Sequence, residues 1–148
     1  MLKSKKKINL TRIITKTIMK RAITFYSGTP TIIELTGDKY LINIRWVNYT
    51  YDITGCKGNA PIRKWISLNS RFIMDKNFNK ISNEIFLKEN YSRITYLDTK
   101  LGFEDIRLFY HNHKYYYIAS YFDNKKKLSM MSSQLYNIDK NTYNLKKN

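Results

Sequence analysis

Two carboxylates and an arginine fall within four positions of one short stretch, Gly102-Phe103-Glu104-Asp105-Ile106-Arg107. A carboxyl can donate or take a proton in general acid–base chemistry. A guanidinium can grip a phosphate or a carboxylate through its fork of donors. The apolar residues between the charges read as a strand, in which neighbouring side chains point to opposite faces. That alternation predicts Asp105 and Arg107 on one face and Glu104 and Ile106 on the other, so that one carboxylate of the pair reaches a pocket. Hydrolysis of a glycosidic bond wants a second carboxylate about 5–9.5 Å away. Glu34, Asp38 and Asp52 stand in strand or loop contexts that do not mark any of them as that partner.

Other chemistry finds little to work with. Cys56 is the single cysteine, which excludes an internal disulfide, fits a reducing compartment and has no histidine nearby in sequence as a base. His111 and His113 sit two apart in a turn with no second group of ligands, so no metal site is expected. The sequons at Asn9, Asn48 and Asn90 carry no weight without a secretion signal. No apolar run is long enough for a signal peptide or a transmembrane helix, and the expected location is intracellular.

The elements around this stretch read as strands. Of the 148 residues, 43% are hydrophobic and 15% aromatic, with Tyr and Ile abundant and only five glycines and two prolines. Strands are expected over 31–35, 40–49, 65–73, 91–97, 102–109, 115–121 and 128–138, with a further short strand within 78–87 and 50–64 a loop. Gly37-Asp38 and His111-Asn112-His113 mark hairpin turns. Residues 1–24 form a basic arm ahead of the fold. Leu10, Ile14 and Ile18 recur every four residues, which a helix would place on one face, while the Thr and Ile content suits a strand equally well.

Two segments repeat. Residues 33–42 resemble 108–117 at an offset of 75, and Phe72-Ile73-Met74-Asp75-Lys76-Asn77 resembles Tyr136-Asn137-Ile138-Asp139-Lys140-Asn141 at an offset of 64. A repeat of about four short strands is the mark of a β-propeller blade. The expected fold is all-β: about two antiparallel blades of an incomplete propeller over 25–148, the first about 28–87 and the second about 91–148.

At these residues the chain resembles the five-bladed propeller glycosidases, and most closely the β-mannoside phosphorylase family (glycoside hydrolase family 130), together with related uncharacterised propellers of giant DNA viruses. Thr29-Pro30 and Tyr40-Leu41…Arg45 resemble that family's first-blade Asn-Pro and Tyr-Leu…Arg strand. Gly102-Phe103-Glu104-Asp105-Ile106-Arg107 resembles its Gly-x-Glu-Asp-Pro-Arg, with Ile106 in place of the proline. The resemblance implies Asp105 as general acid. It implies sugar or phosphate contacts from Arg107, Arg45 and Glu104, and inorganic phosphate as a co-substrate rather than any cofactor. Trp46 and Tyr49 would stack on sugar rings. A glycan is then the expected partner, with cleavage or phosphorolysis waiting on further blades, from other chains or by self-association. A viral source would place the chain in host cytoplasm or virion.

The net charge of +16, from 27 basic and 11 acidic residues, supports two other classes of function. One is a non-catalytic structural or interaction protein. The other is nucleic-acid binding, for which the Tyr115-Tyr116-Tyr117 run among lysines offers stacking surfaces. An AT-rich coding sequence yields the same bias in composition.

Overall fold

A computed structural model describes residues 8–18, 20–52, 54–58, 65–87, 100–122 and 128–134. Among them every regular element is a strand and none is a helix. In chain order these are β1 (Ile13–Ile18), β2 (Arg21–Leu35), β3 (Lys39–Val47), β4 (Tyr49–Asp52), β5 (Gly55–Gly58), β6 (Trp65–Asp75), β7 (Ile85–Phe86), β8 (Lys100–Leu101), β9 (Glu104–His111), β10 (Lys114–Phe122) and β11 (Leu128–Gln134). The main sheet runs β1-β2-β3-β6-β7, antiparallel throughout. The two-residue β8 pairs in parallel with Trp65 and Ile66, and so occupies the end of β6 that β7 leaves open. A second sheet, β11-β10-β9, is an antiparallel meander, and β4-β5 is a separate short hairpin.

The alternation of β3 and β6 assigns each face of the main sheet its own core. Ile42, Ile44 and Trp46 of β3 and Ile66, Leu68, Phe72 and Met74 of β6 face one way, with Ile23 and Phe25 of β2. Among the described residues no second sheet covers them. The five strands curl into a half-barrel, which brings Ile14 and Ile18 of the edge strand β1 and Phe86 of the opposite edge onto the same cluster. A single sheet can reduce Trp46, Ile44 and Ile66 to 0% exposure only by closing over its own face in this way. The opposite face carries Leu41 and Ile73, and the second sheet covers it with Ile106, Tyr117 and Ala119.

Local chemistry explains the joints. Gly37 and Asp38 take φ of +76° and +57° in the β2–β3 turn, and Asn112 and His113 take +45° and +59° in the β9–β10 turn. Both lie in the left-handed region that Gly and Asn tolerate best. Asp75 organises the turn after β6, its Oδ1 accepting from the backbone N–H of Asn77 and Asn79 at 2.9 and 2.8 Å. Pro30, which has no N–H to give, sits where the β2–β3 register slips between Ser27 and Pro30.

The structure differs from the sequence expectations at several points. Residues 13–18 form a strand, not a helix, and β2 begins at Arg21, so the described part of the 1–24 arm belongs to the sheet. Residues 50–64, expected as a loop, hold the β4–β5 hairpin. The short strand expected within 78–87 is Ile85–Phe86, with a single bridge at Lys80. The 75-residue repeat is real as a pair of hairpins but not in register. Leu35 pairs with Lys39 across three residues, whereas His111 pairs with Lys114 across two. The strand expected at 91–97 and the second copy of the 64-residue repeat lie outside the described residues.

If the N-terminal segment is part of the core, its two faces must respond differently. Ile14 packs on the first cluster, while Ile13 is 66% exposed. Ile14→Asp is expected to lower unfolding stability by about 2 kcal/mol, and Ile13→Asp to stay within about 0.5 kcal/mol of wild type, as read from urea midpoints.

Candidate functional site

Arg45 of β3 points away from the half-barrel core, towards β9. Its Nε donates to Ser67 Oγ of β6 at 3.1 Å, and its Nη2 to Tyr49 Oη at 2.9 Å. The same Nη2 meets Glu104 Oε1 at 2.9 Å, and Nη1 donates to Asp105 Oδ1 at 3.0 Å. Arg45 and Glu104 are largely buried, their side chains 13% and 18% exposed, whereas Asp105 stands 59% exposed. One guanidinium thus joins two strands of the main sheet to the leading end of the second sheet.

Both carboxylates reach Arg45, against the expectation from simple alternation. The reason is a β-bulge. Ile118 pairs with Arg107 but Ser120 pairs with Glu104, so β9 carries one residue more than β10 over this interval. Asp105 absorbs it with φ of +51°, a left-handed conformation that Asp tolerates better than most residues. The bulge re-aims its side chain to the side of Glu104. Beyond the bulge alternation resumes. Ile106 and Leu108 face the second cluster, so Arg107 stands exposed on the outer face and does not join the site.

The aromatic expectations also change. Trp46 is 0% exposed and Tyr49 4%, so neither ring offers a face to a ligand. Trp46 is core, its Nε1 donating to Ser70 Oγ at 2.7 Å. Trp65, which the sequence did not single out, is 37% exposed and lies against Tyr49 with ring centroids 5.4 Å apart. It is therefore the aromatic side chain at the edge of the Arg45 site.

Alongside Arg45 runs a buried polar row on the same face. Asn43 Nδ2 donates to Asn69 Oδ1 at 3.2 Å, and Asn69 Nδ2 to the Phe103 carbonyl at 2.9 Å. Asn43, Ser67, Asn69 and Arg71 are each 1% exposed. Polar groups so deep are costly unless paired. The Asn43–Asn69 pair holds the residue just before Glu104 against β6.

A second carboxylate site, not foreseen from the sequence, closes the mouth of the half-barrel. Glu84 takes both Arg12 nitrogens, Nη1 at 2.6 Å and Nη2 at 2.9 Å, together with Ser70 Oγ at 2.5 Å and Lys80 Nζ at 3.2 Å. The Arg12 guanidinium lies 4.9 Å from the centre of the Trp46 ring. Lys80 Nζ is 4.9 Å from the Phe72 ring and Lys16 Nζ 4.0 Å from the Phe86 ring. Burial pushes the Glu84 carboxyl up, but hydrogen bonds from Arg12 and Ser70, with the Arg12 charge and Lys80, outweigh it and hold the group below its usual 4.5. Every neighbour of Glu84 favours the ionised form, which makes it a clamp rather than a proton donor.

The remaining candidates are peripheral. Glu34 is exposed on β2, and Asp38 makes a surface pair with Lys76 at 3.5 Å. Tyr110 Oη and His113 Nδ1 lie 3.4 Å apart at the β9–β10 turn. Among the described residues no group of three or more His, Cys, Asp or Glu could hold a metal ion, and no helix is long and apolar enough to cross a membrane. No protein family, curated protein or solved structure matches the chain.

Glu84 supplies a pH test. A carboxylate whose folded value is depressed stabilises the fold above its unfolded value, and that contribution is lost as pH falls through the folded value. Wild type is therefore expected to be more stable than Glu84→Gln at pH 7, with the gap holding down to about pH 4.5 and narrowing as the pH falls further. Thermal or urea unfolding of both proteins across the acid range reads this directly.

Proposed function

We propose that the chain is a carbohydrate-binding unit of β-propeller type, with its site at the junction of Arg45, Glu104, Asp105 and Trp65. The observation that carries this reading is the convergence of the two motifs behind the resemblance to the propeller glycosidases. Arg45 of the first motif meets Glu104 and Asp105 of the second within 3.0 Å, although they are about sixty positions apart. The strands β2-β3-β6-β7 would be a first blade extended by β1, and β9-β10-β11 a second. The packing of the second sheet on a face of the first agrees with adjacent blades.

The chemistry favours binding over bond cleavage. Asp105 presents a carboxylate to solvent, able to accept sugar hydroxyls, and Trp65 offers an apolar ring against Tyr49, itself a partner of Arg45. A general acid is made by shielding a carboxyl from solvent and cations, whereas Asp105 is exposed and held against Arg45. Arg45 gives its donors to protein acceptors and so orients the carboxylates. Cleavage or phosphorolysis would need further blades to supply a second catalytic group. A purely structural role as an inter-sheet tie is the second reading, favoured by the same engagement of Arg45.

Calorimetry or array screening against neutral oligosaccharides, β-mannosides included, tests the proposal. Trp65→Ala and Asp105→Asn are each expected to weaken binding about tenfold, equivalent to about 1.4 kcal/mol, while Arg107→Ala leaves it unchanged. Absence of any glycan ligand, or affinity indifferent to both substitutions, would leave the structural reading in place.

A further inference from the structure

The outer face of the second sheet has a composition that neither core needs. Because Ile106 and Leu108 turn inward, Arg107, Phe109 and His111 project outward from β9. Their partners across the ladder are Ile118, Tyr116 and Lys114. The Phe109 and Tyr116 rings stack at 5.4 Å with an interplanar angle of 15°, and Phe109 is 40% exposed. Arg107, His111 and Lys114 are exposed around them. The carboxylates of β9 are drawn off to Arg45, and β10 has none.

We infer that this face binds single-stranded nucleic acid. Unpaired bases would lie on the aromatic pair, of which Phe109 is exposed and Tyr116 half-buried, with Arg107 and Lys114 meeting the phosphates on either side. Base–aromatic stacking tolerates any sequence because every base has a π-face, and basic side chains alongside track the backbone. A duplex keeps its bases stacked on one another and gains nothing from the aromatic pair. A second copy of the chain is the poorer occupant. It would set Arg107 and Lys114 against a like-charged surface in a protein of net charge +16. This site is separate from the Arg45 junction and does not rest on the carbohydrate reading.

The test is fluorescence anisotropy with the full chain and a labelled oligothymidylate of about 12 nucleotides, beside a matched duplex and heparin. The single strand is expected to bind more tightly than the duplex, with affinity falling as salt rises. Phe109→Ala/Tyr116→Ala should weaken single-strand binding about tenfold or more and leave heparin binding as it was. Phe109→Trp should retain binding, which separates loss of stacking from loss of fold. The proposal is overturned if the double variant binds the oligothymidylate like wild type, or loses it and heparin in equal measure. A dimer in sedimentation that Phe109→Ala dissolves would equally refute it.

Discussion

The guanidinium of Arg45 is the point on which the arrangement of the two sheets turns. It is largely buried, with acceptors from β4, β6 and β9 around it. A charge in that position is tolerable only when its donors are met with good geometry. The requirement fixes where β9 can begin. Glu104 must lie against the main sheet, and the bulge at Asp105 lets a second carboxylate join it before regular pairing resumes. The Asn43–Asn69–Phe103 chain of hydrogen bonds fixes the approach of the same strand. Apolar contact between Ile106, Tyr117 and Leu41 would bring the sheets together, but it has no direction and cannot specify register.

The two faces of the main sheet are therefore finished by different means. One closes on itself and is sealed by cations over aromatic rings, with Glu84 balancing Arg12 and Lys80. The other is covered by a second sheet through a mixed polar and apolar contact. Part of the basic surplus thus has a structural use, since Arg12, Lys16 and Lys80 lay their stems and charges against the core edge. The basic side chains around Phe109 have no such inward task, which sets that face apart.

Much of the strand content was legible because it rests on alternation and turn chemistry, which are local. Gly37-Asp38 and Asn112-His113 mark their hairpins by residue type alone. The N-terminal segment was not legible for an arithmetical reason. A spacing of four is a multiple of two, so Leu10, Ile14 and Ile18 share a face in a strand as well as in a helix. The pair Glu104 and Asp105 was found, but their relation was misread, because a bulge with a non-glycine residue at positive φ leaves no mark in the pattern. Trp46 and Trp65 differ by burial, which depends on the curl of the whole sheet. Glu84 was missed because its partners Arg12 and Ser70 are distant in sequence and it stands just ahead of a strand only two residues long.

Arg45 and the β9 carboxylates form a coupled tie, and a double-mutant cycle between Arg45→Met and Glu104→Gln measures its strength. Unfolding free energies of wild type, the two single variants and the double variant would be taken from urea titrations. A coupling of about 2 kcal/mol is expected, with the double variant losing far less than the sum of the singles. Additivity to within about 0.5 kcal/mol would rule the tie out, and would mean that the second sheet is held without the Arg45–Glu104 contact.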